Sequence, residues 1–343
     1  MRLRKMKRFK IAVIGAGDMG RNHVRSWIAA GHHVVTLCDV DEERSIALAH
    51  EFNVPNFVKD YKEAINDPQI EIVSICLPLV FHAPVTIYAA QQGKHVFCEK
   101  PLASSAQAAM DMQAAVEKAG VQFGVGFQRN YSNGVEQVKQ WVQEDRFGRP
   151  LVMNCDLLQE VRPKLAMHDR NGNQGPVVDA CCHAFMMWQT VFQSKPKMVY
   201  ARGGIMAHER PEIAHFDQLA IDTAVITVEY ESGDIGTMTV SWGLAKKFKL
   251  HGRADRIIGP KGGAEGHFNN FGNKTLQIEL YDGENKETVE LPQPDLFKVQ
   301  FQRFAAAVEE GRPAPVGFTQ GRDMLKLSHA VLESIETGKI VCL

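Results

Sequence analysis

The feature that most constrains this chain is a glycine-rich turn near its start. A short apolar run at 11–14 leads into Gly15-Ala16-Gly17-Asp18-Met19-Gly20, and a helical pattern follows over 21–30. Asp39 closes the next apolar run, about 20 residues after the turn. Glycines also gather in turns by chance, so the string alone is a weak signal. With a strand before it, a helix after it and the acidic residue beyond, it predicts a dinucleotide-binding βαβ unit.

The residues of the turn have separate predicted tasks. Gly15 permits the tight turn, Gly17 lets the backbone approach a pyrophosphate, and Gly20 allows the helix to pack closely on the strand. The phosphates are expected at the amides of the helix N-terminus, near Asp18 and Met19, where the helix dipole favours anions.

Asp39 predicts which dinucleotide binds. A carboxylate at this position accepts hydrogen bonds from a ribose diol and repels a 2′-phosphate. No arginine follows Asp39 directly, and Arg44 is the nearest one after it. The sequence therefore favours NAD, with NADP the less favoured cofactor.

The pattern of apolar runs changes about midway along the chain. Before it, continuous apolar runs alternate with helical patterns, which is typical of a parallel sheet covered on both faces. Beyond Pro150, a strand-like run, a polar irregular segment and a helical pattern come first. From 198 onward strand-like runs dominate, including a hairpin at 224–242 with alternating polarity and a run at 253–258. Two helical patterns close the chain. The second half is therefore expected to be α+β.

These patterns predict an α/β fold class with two domains. We expect a Rossmann domain with a doubly wound parallel sheet over 1–130. Residues 131–343 are expected to form an α+β domain with a mostly antiparallel open sheet, which binds substrate and mediates oligomerisation. The C-terminal helices are expected to support both domains.

Charge and composition exclude several classes of protein. The chain has 39 Lys and Arg against 40 Asp and Glu, a net charge of −1, so no global basic field holds nucleic acid or anionic membrane. The basic cluster at 2–10 is interpreted as a solvated N-terminus. No apolar run approaches the ~20 residues of a membrane-spanning helix. The 7 cysteines lie mostly in apolar runs, which is typical of reduced thiols and favours a cytoplasmic protein.

Three further motifs carry a resemblance to a known family. Glu99-Lys100-Pro101 follows a strand of the first domain, Asp179-x-x-x-His183 begins a helical pattern in the second, and Leu77-Pro78 precedes His82. In this order, together with the glycine-rich turn and the hairpin ending at Ser241-Trp242, they resemble the Gfo/Idh/MocA family over nearly the whole chain. That family contains NAD(P)-dependent sugar and inositol dehydrogenases and glucose–fructose oxidoreductase.

The resemblance implies three catalytic residues. Lys100 matches the family's lysine between nicotinamide and substrate; without the resemblance, a solvated lysine at a strand end is the simpler interpretation. Asp179 and His183 match residues that face the sugar, and their i, i+4 spacing puts both on one face of a helix. His183 is expected to exchange the hydroxyl proton as the hydride leaves. Asp179 is expected to bind neighbouring hydroxyls and to orient His183.

The resemblance also adds Leu77, Pro78, His82, Glu99 and Lys100 to the cofactor site. Two roles are open for Glu99, which either holds the ribose or fixes the turn.

Two clusters have competing interpretations. One cluster contains potential metal ligands: Asp179, Cys181, Cys182 and His183. However, adjacent donors on one helix point in several directions, and no second Cys/His pair lies at zinc spacing. We therefore expect no metal, and cysteines that serve in packing. Gln128-Arg129-Asn130 either lines the substrate site or caps the next helix.

The predicted function is an NAD(P)-dependent oxidoreductase. It transfers a hydride between a hydroxyl-bearing carbon of a sugar, cyclitol or related polyol and nicotinamide C4. The alternatives are an NAD-dependent glycosidase of the same fold and a non-catalytic NAD-binding protein. Departures from the family pattern at Pro176, Leu79 and Met186 bear on which hydroxyls are recognised.

We also expect a homodimer or homotetramer formed through the C-terminal sheet. Ala224, Ile226, Val228 and Tyr230 alternate along one arm of the hairpin and suggest an uncovered apolar face. The family resemblance implies the same pairing of sheets.

Overall fold

The computed structural model describes residues 7–247, 254–270 and 272–343. The chain forms two compact units, the first made of Met1–Gln128 and Asp295–Arg322, the second of Arg129–Pro294 and Asp323–Leu343. Two predictions fall partly outside the described residues. These are the basic N-terminal cluster, at residues 2–6, and the predicted strand at 253–258, at Arg253. Within the described part of the chain, no helix is long and apolar enough to cross a membrane.

The α-helices of the described residues follow in chain order. They are α1 Asp18–Ala29, α2 Glu42–Phe52, α3 Tyr61–Asn66, α4 His82–Gln91, α5 Ala106–Ala119, α6 Asn133–Gln143, α7 Gly175–Asp179, α8 Cys181–Phe192, α9 Leu296–Glu310 and α10 Phe318–Thr337.

The first unit contains a parallel sheet of six described strands in the order β3-β2-β1-β4-β5-β6. The strands are β1 Lys10–Ile14, β2 His33–Cys38, β3 Asn56–Val58, β4 Ile72–Ile75, β5 His95–Glu99 and β6 Phe123–Gly126. All of β4 and nearly all of β1 are buried, which explains their uninterrupted apolar sequences. The strand order reverses beside β1, and ligands of such sheets bind at the carboxyl ends of the strands at this point. The predicted Rossmann sheet is confirmed.

Helix α9 belongs to the first unit. It lies within 131–343, the range predicted for the second domain, whose C-terminal helices were expected to support both domains. The apolar face of α9 is the reason that it belongs to the first unit. Phe301 stacks on Trp27 of α1, with ring centroids 4.2 Å apart, and meets Phe97 of β5 edge-on at 4.9 Å. Phe304 lies over Gly124 of β6, where a Cβ atom would come within 2.7 Å of its ring.

The second unit contains a mixed sheet with nine described strands in the order β14-β13-β12-β11-β7-β10-β9-β8-β15. The strands are β7 Val152–Glu160, β8 Pro196–Gly204, β9 Thr223–Tyr230, β10 Ile235–Leu244, β11 Asp255–Ile258, β12 Gly262–Gly266, β13 Thr275–Asp282, β14 Asn285–Pro292 and β15 Val341–Cys342. Among these, β7 and β10 pair in parallel and the other pairs are antiparallel. The prediction of a mostly antiparallel sheet is confirmed.

In the second unit, the structure contradicts the prediction of which face of the sheet is uncovered. Ala224, Ile226, Val228 and Tyr230, which suggested an uncovered apolar face, are all buried. Their face is the covered one, as shown by Tyr230, which packs edge-on against Phe192 of α8 at 5.0 Å. Alternation along a strand identifies its two faces, but it does not say which face a helix covers.

Candidate active site

The glycine-rich turn joins β1 to α1 as predicted. Gly15 has φ +102°, and a Cβ atom on it would lie 2.6 Å from the carbonyl oxygen of Cys76. On Gly20, a Cβ atom would lie 1.9 Å from the carbonyl oxygen of Gly15, so only glycine fits there. Gly17 caps α1 without a side-chain hydrogen bond, and the space beside its Cα is open. This geometry fits a pyrophosphate held by amides at the helix N-terminus.

Asp39 lies beside this turn, at the end of β2. Its Oδ2 accepts a hydrogen bond from the Ala16 amide at 2.7 Å, and its Oδ1 accepts one from the Asp41 amide at 3.0 Å. The two bonds fix the carboxylate and leave further lone pairs on each oxygen, which suit a ribose diol. One guanidinium nitrogen of Arg44 lies 3.8 Å from Oδ2 of Asp39, and the other terminal nitrogen lies 3.0 Å from the Asp41 carboxylate. Arg44, the nearest arginine after Asp39 in the sequence, therefore lies at the edge of this site.

Glu99 and Lys100 lie at the end of β5. The Glu99 carboxylate is buried, with its Oε1 2.9 Å from Nε2 of His23, and its Oε2 accepts a hydrogen bond from the Lys100 amide at 3.3 Å. Of the two roles left open for Glu99, these contacts support fixing the turn. Lys100 itself is half-buried.

His82 lies at the start of α4 and is buried. Its Nδ1 is 2.8 Å from the carbonyl oxygen of Pro101, and its Nε2 is 3.0 Å from that of Leu77. Burial lowers the pKa of this imidazole. His82 therefore connects the segments that follow β4 and β5, and its ring nitrogens are turned towards these carbonyls. Leu77 and Pro78 follow β4, with only Cys76 between the strand and Leu77.

Asp179 and His183 both lie in the second unit, but on two helices instead of one. Helix α7 ends at Asp179 and α8 begins at Cys181, because the backbone at Ala180, with φ −116°, departs from helical geometry. Asp179 and His183 are both buried, and Asp179 Oδ1 accepts a hydrogen bond from the Asn173 side chain at 3.2 Å. The expectation of a single continuous helix is wrong at this point.

Cys181 and Cys182 pack inside the second unit. Both are buried, and burial raises the pKa of the Cys181 thiol well above its usual value. Such thiols are poor metal ligands, because the thiolate is the form that binds. No group of three or more potential metal-ligating side chains occurs among the described residues.

A cavity of about 420 Å³ lies beside His183 in the second unit. Side chains with donors and acceptors line it, among them Arg129, Asp255, Asn269 and Asn270. The sequence had left two roles open for Gln128-Arg129-Asn130. Arg129 lines the cavity, and Ser132, whose hydroxyl accepts the Gly134 amide at 3.2 Å, caps α6.

Asp255 is a residue that the sequence analysis missed. It begins β11, next to β7, and its Oδ2 accepts a hydrogen bond from the Phe268 amide at 3.0 Å. Burial raises the pKa of this carboxyl to about 6. The available signal was a charged residue at the head of a short apolar run, which is too common to single out. The pairing of β11 with β7 brings Asp255 to the cavity.

Two family models match the chain. The model described as the oxidoreductase family with an NAD-binding Rossmann fold matches residues 9–127, and the Gfo/Idh/MocA C-terminal domain matches residues 135–265. The first match lies within the predicted domain 1–130, and the second covers 135–265 of the predicted domain 131–343.

Several proteins are similar over nearly the full length. Myo-inositol 2-dehydrogenase of Thermotoga maritima is 25% identical over 341 residues, which cover 97% of this chain and 98% of that protein. D-apiose dehydrogenase of Paraburkholderia graminis is 26% identical over 357 residues, covering 98% and 90%. The structure of a levoglucosan dehydrogenase in complex with NADH superimposes with a TM-score of 0.85 at 21% identity, covering 98% and 99%, and supports the fold. The chain is an NAD-binding oxidoreductase that belongs to the Gfo/Idh/MocA family.

Proposed function

We propose that this oxidoreductase is a dehydrogenase of a sugar, a cyclitol or a related polyol. The observation that carries the proposal is the cavity beside His183, where guanidinium, imidazole, amide and carboxylate groups are combined. A hydroxyl both donates and accepts hydrogen bonds, so a hydroxyl-rich substrate pairs with such a mixture. The names of the inositol and apiose dehydrogenases agree with this class. The comparisons do not favour a glycosidase or a non-catalytic protein.

The proposed mechanism divides proton handling from binding. The glycine-rich turn and Asp39 would hold NAD, and the bound cofactor would supply nicotinamide C4 as the hydride acceptor. His183 takes the hydroxyl proton as the carbon is oxidised to a carbonyl, and it returns the proton in the reverse direction. Asp179, held by Asn173, binds neighbouring hydroxyls and orients His183. Lys100 supplies a second proton-handling group at the end of β5.

A substrate screen followed by kinetics of variants tests this proposal. Sugars, inositols and sugar acids are incubated with NAD, and NADH formation is followed by its absorbance. On the substrate found, Lys100→Met and His183→Ala should each lower kcat about 10²–10⁴-fold, the usual contribution of a general acid–base group. Affinity for NAD, measured separately by fluorescence, should change little. Asp179→Ala should also raise KM, because substrate contacts are lost.

Two outcomes would contradict the proposal. Glycoside hydrolysis without net NADH would point to the glycosidase. If Lys100→Met kept more than about a tenth of kcat, the lysine would be structural, since that loss is below the range for acid–base catalysis.

We also propose that two or more copies associate through the outer face of the nine-stranded sheet. The support is a set of large apolar side chains on these strands that remain exposed: Tyr200 by 44%, Val225 by 58% and Ile258 by 46%. Exposed apolar patches often mark interfaces between proteins.

Light scattering tests the assembly. We expect a mass well above the 38.2 kDa of one chain at micromolar concentration. Val225→Lys should shift the population towards monomer, because it places a charge in the proposed interface. Met110→Lys, at an exposed position on α5, is the matched control and should leave the mass unchanged. A wild-type monomer would refute the proposal.

The proposed location is the cytoplasm. The 7 cysteines are all unpaired, and 5 of them are buried. Proteins of oxidising compartments usually form disulfides instead.

A further inference from the structure

A chain of buried polar groups runs through the first unit from α1 to the end of β5. Trp27 Nε1 donates a hydrogen bond to Ser74 Oγ at 2.9 Å, and Ser74 Oγ lies 2.9 Å from His23 Nδ1. His23 Nε2 lies 2.9 Å from Glu99 Oε1. His23, Trp27 and Ser74 have no exposed surface, and Glu99 is only 4% exposed. A buried carboxylate is costly unless it is paired and hydrogen-bonded, so this arrangement needs a reason.

The groups at the two ends of this chain set the direction of their hydrogen bonds. The indole of Trp27 only donates, so Ser74 Oγ accepts that bond. A carboxylate oxygen only accepts, so His23 Nε2 carries a proton and donates it to Glu99 Oε1. The second oxygen of Glu99 accepts the Lys100 amide.

The surroundings leave the carboxylate of Glu99 little freedom. On one side lies Gly126 of β6, where a Cβ atom would come within 2.5 Å of Oε1. On the other side is the imidazole of His23, which is itself held edge-on by the ring of Phe301, with centroids 4.9 Å apart. Any residue other than glycine at position 126 would displace the Glu99 carboxylate. The site is therefore shaped to hold Glu99 in one position.

We propose that His23 is a positioning residue for Lys100 and acts through Glu99. The imidazole fixes the carboxylate, and the carboxylate fixes the backbone of the residue that follows it. If the Nε2 donor is lost, the buried charge loses its partner and turns towards water, which moves the end of β5 and Lys100 with it. This inference rests on the proposed role of Lys100 in proton transfer. A displacement of about 1 Å at a reacting group can cost about 10²-fold in rate.

Two substitutions at His23 separate this role from simple packing. In His23→Gln the side-chain amide reaches about as far as Nε2 and can still donate to Glu99. In His23→Asn it reaches only about as far as Nδ1, towards Ser74. Both lose the ring contact with Phe301. They differ in the link that is kept, which is to Glu99 in His23→Gln and to Ser74 in His23→Asn, so Ser74→Ala is needed as a control for the second link.

We expect His23→Asn to lower kcat by about 10–100-fold, by misplacing Lys100, with KM and NAD affinity changed far less. His23→Gln should recover most of this loss. Ser74→Ala is the control for lost stability, because Ser74 bonds to Trp27 and His23 but not to Glu99. At temperatures well below unfolding, it should cost much less kcat than His23→Asn even if its melting temperature falls as far.

Amide hydrogen exchange at Lys100 provides a readout that does not depend on turnover. It should speed up in His23→Asn, relative to Ser74→Ala, and stay slow in His23→Gln. Equal exchange in His23→Gln and His23→Asn, or equal loss of kcat in His23→Asn and Ser74→Ala, would overturn the proposal. If Lys100→Met remains active, the proposed catalytic role fails, whereas the exchange pattern still decides whether His23 positions the segment.

Discussion

Asp39 illustrates how one side chain serves both the fold and the choice of cofactor. Its Oδ2 holds the glycine-rich turn through the amide of Ala16, and its Oδ1 accepts the amide of Asp41, two residues further on. The remaining lone pairs can receive a ribose diol, while the negative charge disfavours a 2′-phosphate. Arg44 nearby partly offsets that charge, and it is a counter-ion that a 2′-phosphate could use. Selectivity for NAD therefore depends on the balance between these two residues.

Substitution of Asp39 should narrow the preference for NAD over NADP. Asp39→Ala removes the diol acceptor and the repulsion, and hydrogen bonds to a charged group contribute about 1.5–3 kcal/mol each. We therefore expect the ratio of the two affinities to fall by about tenfold or more. Fluorescence titration with both dinucleotides measures it. The comparison variant is Arg44→Ala, which should widen the preference. An unchanged ratio in Asp39→Ala would show that the carboxylate does not select the cofactor.

At the scale of elements, α9 shows why a domain need not be a continuous stretch of chain. It follows the last long strands of the second unit, yet Phe297, Phe301 and Phe304 belong to the core of the first. The rings of Trp27 and Phe97 provide the surface on which α9 packs. Helix α9 packs where its aromatic side chains are buried and not where the preceding strands lie, because burial of each large side chain contributes several kcal/mol to stability.

Truncation of Phe301 should therefore destabilise the first unit. Phe301→Ala removes a fully buried ring and leaves a cavity, for which we expect a loss of about 3–5 kcal/mol in the free energy of unfolding. Phe301→Leu keeps much of the apolar volume and should cost clearly less. Urea denaturation followed by tryptophan fluorescence measures both, since Trp27 lies against the ring. Similar costs for Ala and Leu would mean that the stacked ring does not carry the packing of α9.

For the whole molecule, stability is expected to depend on neutral histidines that are buried or half-buried. Burial lowers the pKa of His32, His95 and His168. Each of these imidazoles also accepts a backbone hydrogen bond: His32 from Phe9, His95 from Gln122 and His168 from Arg162. Protonation of the accepting nitrogen would break that bond. Asp255, whose pKa is raised to about 6, acts in the opposite direction.

Acid should therefore destabilise the protein at a pH above the range in which carboxylates usually titrate. In the unfolded chain, histidines take up protons below about pH 6.5, whereas in the fold they resist protonation to lower pH. Stability is complete above pH 6.5 and falls as the pH decreases towards the folded-state pKa values. Each buried histidine contributes up to about 1.4 kcal/mol per pH unit in this window. Melting temperatures between pH 8 and pH 5 test this, and a rise from pH 7 to pH 5 would contradict it.

The Asp255→Asn variant isolates the opposing group. Ionisation of Asp255 in the fold is unfavourable, so its contribution decreases as the pH rises from about 4 to about 6. The asparagine oxygen can still accept the Phe268 amide. The variant should therefore gain melting temperature relative to wild type at pH 8 more than at pH 4.

The sequence by itself determined the features that depend only on residues close together in the chain. The strand, the glycine-rich turn, the helix and Asp39 are local features, since a tight turn and a close packing contact leave room only for glycine. The change from buried parallel strands to alternating ones likewise indicated the two kinds of sheet. The motif at Glu99-Lys100-Pro101 located the end of β5.

Only the tertiary structure decided which distant groups meet. The pairing of β11 with β7 brings Asp255 to the cavity. Helix α9 packs into the core of the first unit. His23 and Glu99, which are 76 residues apart in the sequence, lie within hydrogen-bond distance of each other. None of these contacts leaves a periodic pattern in the sequence, because each depends on pairs of surfaces that fold together and not on the spacing within one element. The covered face of the second sheet is decided in the same way, by the helix that lies on it.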